Sequence, residues 1–256
     1  MGMVYIVGAG PGDEELITVK GLKCIQTADV ILYDRLVNID LLNYAKKGAK
    51  LISCGKFPNY HTMQQNTINL EIVKYAKEGK IVVRLKGGDP FIFGRGAEEA
   101  MACREAGVNF QIVPGITAGI AAAAYAGIPV THRDYSSSFA VITGHRKAGV
   151  DADHQWGCLA RSVDTLVVYM GMKHLGEIAT QLIAHGKDKE TPVALIHKGT
   201  TNGQCTVIGT LETIYEIAVL KQVKNPSVII VGEVVRLNKK MRWFEEHNDY
   251  LVAGIL

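Results

Sequence analysis

The chain has 256 residues, 48% hydrophobic and 21% charged, with a formal net charge of +3. That is the balance of a globular chain of one large domain or two of about 120 residues, enough for a sizeable core. A charge so near neutral, without a block of like charges, weighs against a dedicated nucleic-acid surface, and no apolar run approaches the roughly 20 residues that span a bilayer.

Met1-Gly2-Met3 leads straight into the strand Val4–Val7, so no signal peptide is expected. Gly8-Ala9-Gly10-Pro11-Gly12-Asp13 follows it. A dinucleotide fingerprint would need glycine or alanine where Asp13 stands, and Pro11 removes an N–H that a pyrophosphate cradle would use. The loop therefore admits a ligand close to the backbone without being built for phosphate. Leu16, Val19, Leu22, Cys24 and Ile25 have helical spacing and predict one helix ending near Asp29. Val30–Tyr33 is the next strand, closed by Asp34-Arg35. A carboxylate at that end of a strand either faces the crevice where chemistry occurs in open α/β sheets, or caps a turn or pairs with Arg35. Leu51–Cys54 is a third strand, followed by Gly55-Lys56. Gln64–Glu78 reads as a helix with Ile68, Ile72, Val73 and Tyr75 inward, stopped by Gly79.

Ile81–Leu85 is an apolar strand that runs into Lys86-Gly87-Gly88-Asp89-Pro90-Phe91-Ile92-Phe93-Gly94-Arg95-Gly96. Glycines bring backbone close to a ligand, and three large apolar residues in a row suit a loop that closes on an apolar or aromatic one. Lys86, Asp89 and Arg95 add charge at this strand end. A helix over Ala97–Ala106, a strand over Phe110–Val113 and the Pro114-Gly115 hinge complete a first domain, 1–114, with a largely parallel sheet.

A second α/β domain, 115–245, opens with the small-residue helix Ala118–Tyr125, built to pack closely, and the polar loop Thr131-His132-Arg133-Asp134. Strands are predicted at Phe139–Thr143, Thr165–Tyr169, Pro192–His197, Gln204–Gly209 and Ser227–Val231, and helices at His174–His185 and Leu211–Val223. Gly199-Thr200-Thr201-Asn202-Gly203 reads as a hairpin loop, which makes this sheet mixed. Residues 146–163 and the tail 246–256 receive no role. The five cysteines, Cys24, Cys54, Cys103, Cys158 and Cys205, lack any C-x-x-C and are expected as buried or idle thiols in a reducing cytoplasm. The eight histidines show no metal-ligand spacing.

Gly8–Asp13, Leu32-Tyr33-Asp34-Arg35-Leu36-Val37, Arg84–Gly96, Val113-Pro114-Gly115-Ile116-Thr117, Ile128–Arg133 and Tyr169-Met170-Gly171 together resemble the tetrapyrrole (precorrin) methyltransferases, over residues 3–245. The Tyr-Asp-Arg-Leu-Val and Gly-Gly-Asp-Pro-Phe-Ile-Phe-Gly-Arg-Gly strings point to the branch acting on uroporphyrinogen III. The resemblance implies a cytoplasmic homodimer of two α/β domains with a ligand cleft between them, holding S-adenosylmethionine and no metal. It implies methylation of uroporphyrinogen III at carbons 2 and 7, giving precorrin-2 for sirohaem or cobalamin. Adenosylmethionine contacts then map onto Pro11, Gly87, Gly88, Asp89, Ile92, Thr117, Ala118, Met170 and Gly199. Asp34 matches the proton acceptor, Lys56 the proton donor, and Arg95 an arginine near the substrate. Arg35, Arg95, His132 and Arg133, with Lys56, can hold substrate carboxylates. Some members carry an amino-terminal dehydrogenase and chelatase module, which is not expected here. Rival readings are a methyltransferase of the same fold acting on a later precorrin or on RNA, a non-catalytic adenosine-ligand sensor, and a dinucleotide oxidoreductase.

Overall fold

Short runs of Val, Ile, Leu and Tyr form the strands, as their fit to a pleated buried surface requires. The computed structural model describes residues 2–55, 64–144 and 152–246, and the chain divides into two compact units, Met1–Thr117 and Ala118–Leu256.

The first unit runs β1 (Met3–Gly8), α1 (Val19–Thr27), β2 (Val30–Tyr33), β3 (Lys50–Ser53), α2 (Gln65–Lys77), β4 (Ile81–Lys86), α3 (Gly96–Glu105) and β5 (Asn109–Val113). The strand order is β3-β2-β4-β1-β5 and every pairing is parallel. Both faces are covered, which is why the strands read as apolar runs rather than alternating ones. Ile31, Val83 and Leu85 pack with Cys24 and Ile25 of α1 on one face. Val30, Leu32 and Val82 pack with Ile68 and Ile72 of α2 and Cys103 of α3 on the other.

The helix predicted from Leu16 is divided in two. Asp13 accepts the Glu15 amide at 2.9 Å and starts a 3-10 turn, and the Thr18 hydroxyl then accepts the Gly21 amide at 3.0 Å and starts α1. Two capping side chains five residues apart each satisfy orphan amides, so the chain restarts its helix between them.

The second unit runs α4 (Ala118–Tyr125), β6 (Phe139–Thr143), α5 (Ala152–Ser162), β7 (Thr165–Tyr169), α6 (Leu175–Ala184), β8 (Pro192–His197), β9 (Cys205–Thr210), α7 (Ile214–Leu220), β10 (Ser227–Val231) and α8 (Asn238–Met241). Its order is β6-β7-β10-β8-β9, with β6 and β7 parallel and the other pairs antiparallel, so the sheet is mixed. Leu166, Val168, Leu195 and Ile229 face α5, α6 and α7. Val167, Ile196 and Ile230 face the alanines of α4.

Two predicted elements of this unit shift, and one forms where none was assigned. Gln204 closes the hairpin loop, its side chain accepting the Thr200 amide at 2.7 Å, so β9 starts one residue later. The helix predicted over Leu211–Val223 forms only as α7, because the Leu211 amide bonds Thr191 and the Thr213 hydroxyl accepts the Thr210 amide at 3.0 Å, holding a turn before it. α5 occupies part of the stretch left without a role. Glu246 is anchored too: its carboxylate accepts the Thr206 amide at 3.0 Å and the Gln204 side chain at 3.1 Å.

Cys24, Cys54 and Cys103 are buried, whereas Cys158 is exposed. Burial pushes the Cys54 and Cys103 thiols up to about 11. A thiol reagent at neutral to mildly alkaline pH is expected to modify Cys158 at least roughly tenfold faster than either, since the thiolate reacts. Mass-spectrometric mapping of time points checks this, and equal rates would show the cores to be open.

Candidate functional site

Because all pairings in the first unit are parallel, the C-terminal ends of its strands open on one edge of the sheet, where ligands of such sheets collect. Four loops leave that edge and are tied together. Gly10 and Gly88 form a two-bond antiparallel bridge, with N–H to O distances of 3.2 and 2.7 Å, joining the loops after β1 and β4. Asn38 donates to the Gly12 carbonyl at 2.9 Å, adding the loop after β2. Asp89 accepts the Phe91 amide at 2.8 Å with one oxygen and the Gly115 amide at 3.0 Å with the other, adding the loop after β5. Asp89 thus organises backbone.

The packing of these loops depends on missing side chains. A Cβ on Gly115 would lie 2.3 Å from the Gly88 carbonyl oxygen and 2.7 Å from Gly8 Cα. Gly115→Ala is therefore expected to destabilise the first unit by ~1–3 kcal/mol, as overpacking does. Urea unfolding checks it; an unchanged midpoint would mean the loops part without cost. Gly88 has a φ of 67°, and non-glycine Phe93 (52°) and Arg95 (57°) share the left-handed region. Such strained residues persist where surroundings over-determine them, often at ligand sites. A side chain on Gly87 would meet Leu36 of the β2 loop, with Cβ atoms 3.3 Å apart. Phe91, Ile92, Phe93, Leu36 and Ile116 all expose apolar surface along these loops, a concentration that marks a binding surface. Pro11 is half-buried and Thr117 ends the unit.

Behind the edge lies a cluster that the sequence reading did not assemble. Arg84 and Lys86 alternate with Val83 and Leu85 on β4, so both point toward α2 and α3. They are 1% and 2% exposed, and Glu99 of α3 is fully buried. Arg84 Nε donates to Glu99 Oε1 at 2.8 Å and Lys86 Nζ to the same oxygen at 3.1 Å. Arg84 Nη2 donates to Asp34 Oδ1, and Lys86 Nζ stands 3.7 Å from Asp34 Oδ2. Burial opposes the charge on Arg84, but Asp34 and Glu99 outweigh it and push its pKa up. Lys86 is thus a floor of the site rather than part of the loop. Asp34, its side chain 33% exposed, is the member of the cluster that reaches solvent. Its partners are Arg84 and Lys86; Arg35 is exposed, with Gly55 packed against its Cβ. Lys56 lies outside the described residues. The signal was present in Val-Val-Arg-Leu-Lys: two cations on one face of a strand buried on both sides require buried anions.

Arg95 is exposed and forms a forked pair with Glu98, at 2.8 and 2.7 Å. The pair holds the guanidinium at the loop surface.

In the second unit β7 and β8 both pair antiparallel with β10, so their C-terminal ends share an edge. Met170 follows β7 with a φ of 54° and an exposed side chain. Gly199 follows β8 between Lys198 (44°) and Thr200 (68°), also left-handed. A Cβ on Gly199 would come 2.3 Å from Ala122 Cβ, and the Gly119 amide donates to the Tyr169 hydroxyl. The small residues of α4, including Ala118 at its start, thus serve close packing on their own sheet. The His132 ring nitrogen Nδ1 accepts the Asp134 amide at 3.1 Å and its backbone bridges Ser136, while Arg133 is exposed. No group of three or more His, Cys, Asp and Glu among the described residues is arranged to hold a metal ion, and no described helix is long and apolar enough to cross a membrane.

The family model described as Tetrapyrrole (Corrin/Porphyrin) Methylases matches residues 3–215. A uroporphyrinogen-III C-methyltransferase of Priestia megaterium is 64% identical over 238 residues, covering 93% of this chain and all of the relative. Siroheme synthase 1 of Klebsiella pneumoniae is 50% identical over 95% of this chain, which spans 51% of that protein. Among solved structures, the uroporphyrin-III C-methyl transferase of Thermus thermophilus complexed with S-adenyl homocysteine is 37% identical with a TM-score of 0.78, covering 92% of this chain and 94% of that one.

Proposed function

This chain belongs to the tetrapyrrole (corrin/porphyrin) methylases, and we propose that it transfers two methyl groups from S-adenosylmethionine to carbons 2 and 7 of uroporphyrinogen III, giving precorrin-2 for sirohaem or cobalamin. The observation that supports this most is the set of four hydrogen-bonded loops, three of them glycine-bearing, at the C-terminal edge of a parallel sheet, lined by exposed apolar side chains and lacking a phosphate fingerprint. Adenosylmethionine carries no phosphate, and its flat adenine suits apolar walls and bare backbone, so the residues fit it. Pro11, Gly87, Gly88, Asp89, Ile92, Thr117, Ala118, Met170 and Gly199 would hold it. When bound it supplies a methyl group on a sulfonium, ready for in-line attack.

The chain's own work is then alignment and proton handling. Holding the pyrrole carbon in line with the methyl group can supply several kcal/mol of barrier lowering. The substrate's acid side chains are held by Arg35, Arg95, His132 and Arg133, and arginine suits them because its fork matches a carboxylate. Arg95 exchanges Glu98 for a substrate carboxylate, or keeps it as a shared partner. After methylation a proton leaves the macrocycle: the C–H bond breaks, its electrons return to the ring, and Asp34 takes the proton. Lys56 acts as the proton donor.

We further propose a cytoplasmic homodimer that works without a metal, a setting in which its thiols stay reduced. Calorimetry tests the cofactor reading directly: adenosylmethionine and its demethylated product bind, and NAD does not. Preferential binding of NAD would overturn it.

A further inference from the structure

We propose that Arg84, Lys86 and Glu99 form a buried positioning device for Asp34, fixing the direction and the charge balance of the carboxylate that receives the proton. The inference rests on the reading of Asp34 as the proton acceptor.

The geometry leaves Arg84 no freedom to swing. Its Nε is held by Glu99 at 2.8 Å, its Nη2 by Asp34, and its Nη1 by the carbonyls of Leu85 and Leu32 at 3.2 and 3.4 Å. Lys86 sits 3.1 Å from Glu99 and 3.7 Å from the second Asp34 oxygen. Both oxygens of Asp34 are therefore addressed from the buried side, which leaves the outer edge of the carboxylate to face the loops. Stability does not call for this arrangement: apolar residues of similar volume serve a core as well as or better than buried ion pairs. Among the described residues Glu99 Oε2 finds no hydrogen-bond partner, a further sign that the cluster is not optimised for folding.

The charge count explains what the device does. Arg84 and Lys86 from β4 face Asp34 and Glu99, with the Cys54 thiol at the end of β3 nearby and Gln65 of α2 donating to Glu99 at 3.2 Å. With Asp34 ionised, two cations balance two carboxylates. When Asp34 takes the proton, one positive charge is left over among buried groups, where charges are weakly screened. The proton is therefore passed on to solvent through the exposed edge, and Asp34 is ready for the second methyl transfer.

The test is a double-mutant cycle on methyl transfer, with adenosylmethionine affinity and melting temperature measured on every variant. Glu99→Gln keeps the shape and removes one buried negative charge. The expected result is a kcat at least tenfold lower, an acidic limb of the kcat–pH profile displaced to lower pH, and adenosylmethionine affinity within about threefold of the parent. In an Asp34→Asn background the same change adds little, because its target is already gone. Should Glu99→Gln alone not fold, Lys86→Met with Glu99→Gln takes its place; it keeps the charge balance around Asp34 but removes Lys86 beside it and the Glu99 hold on Arg84, so a non-additive loss of kcat is expected with the acidic limb unmoved. Losses that multiply in the Asp34→Asn background, or, in Glu99→Gln itself, an acidic limb that stays put while the melting temperature falls, would make the cluster structural and overturn the proposal. Full turnover in Asp34→Asn alone would instead remove the reading of Asp34 on which it stands.

Discussion

Asp34→Asn is expected to reduce methyl transfer by about 100-fold or more, the usual worth of a positioned general base. Asparagine keeps the shape of the side chain and can still accept from Arg84, but it cannot take the proton. The change also has a structural consequence that the sequence alone does not show. Arg84 and Lys86 would then face Glu99 only, leaving a buried excess of one positive charge. Removing one partner of a charge-assisted contact costs on the order of 1.5–3 kcal/mol, and the partial exposure of Asp34 puts the expected loss toward the lower end. Turnover should therefore fall far more than stability, with adenosylmethionine affinity nearly unchanged. Calorimetry, thermal melting and kcat on one preparation check all three. Near-parental turnover at neutral pH would show that Asp34 only anchors Arg84.

Arg84→Met is expected to destabilise the first unit by ~3–5 kcal/mol, because it deletes one partner of a buried ion pair. Glu99 would keep only Lys86 and Gln65, and the carbonyls of Leu32 and Leu85 would lose a donor. Denaturant unfolding checks the magnitude. A loss below about 1 kcal/mol would mean that water reaches the cluster and that the charges are not desolvated.

Most of the strands were legible because their signal is local. Val30–Tyr33, Phe139–Thr143, Thr165–Tyr169, Pro192–His197 and Ser227–Val231 form at the predicted residues, since an apolar run closed by Gly, Asp or Pro leaves little choice. Helix limits were less legible where caps compete, as at Asp13 and Thr18, or where a threonine turn delays the start, as before Ile214. The site was legible as a set of loops, because glycine spacing and strand ends are written in the chain. Its floor was not. Glu99 lies in Gly-Ala-Glu-Glu-Ala next to exposed Glu98, and only the rotation of α3 decides which of the two carboxylates turns inward to meet Arg84. Local sequence leaves Asp34 between chemistry and a pair with Arg35; the structure replaces the Arg35 pair with residues fifty and more positions away, a contact that no local rule encodes. The bonds of Tyr169 and Asn38 are hidden in the sequence for the same reason, each reaching a backbone group brought close by the sheet.

Methyl transfer to a tetrapyrrole is the activity that separates this chain from a sensor or an RNA methyltransferase. Incubating the chain with uroporphyrinogen III and methyl-labelled S-adenosylmethionine under anaerobic conditions, then analysing the product by mass, tests it most directly. The expected product is a dimethylated tetrapyrrole carrying two labelled methyl groups, formed only when both substrates are present. Adenosylmethionine bound without any label reaching the macrocycle, or label transferred to RNA in preference to it, would contradict it.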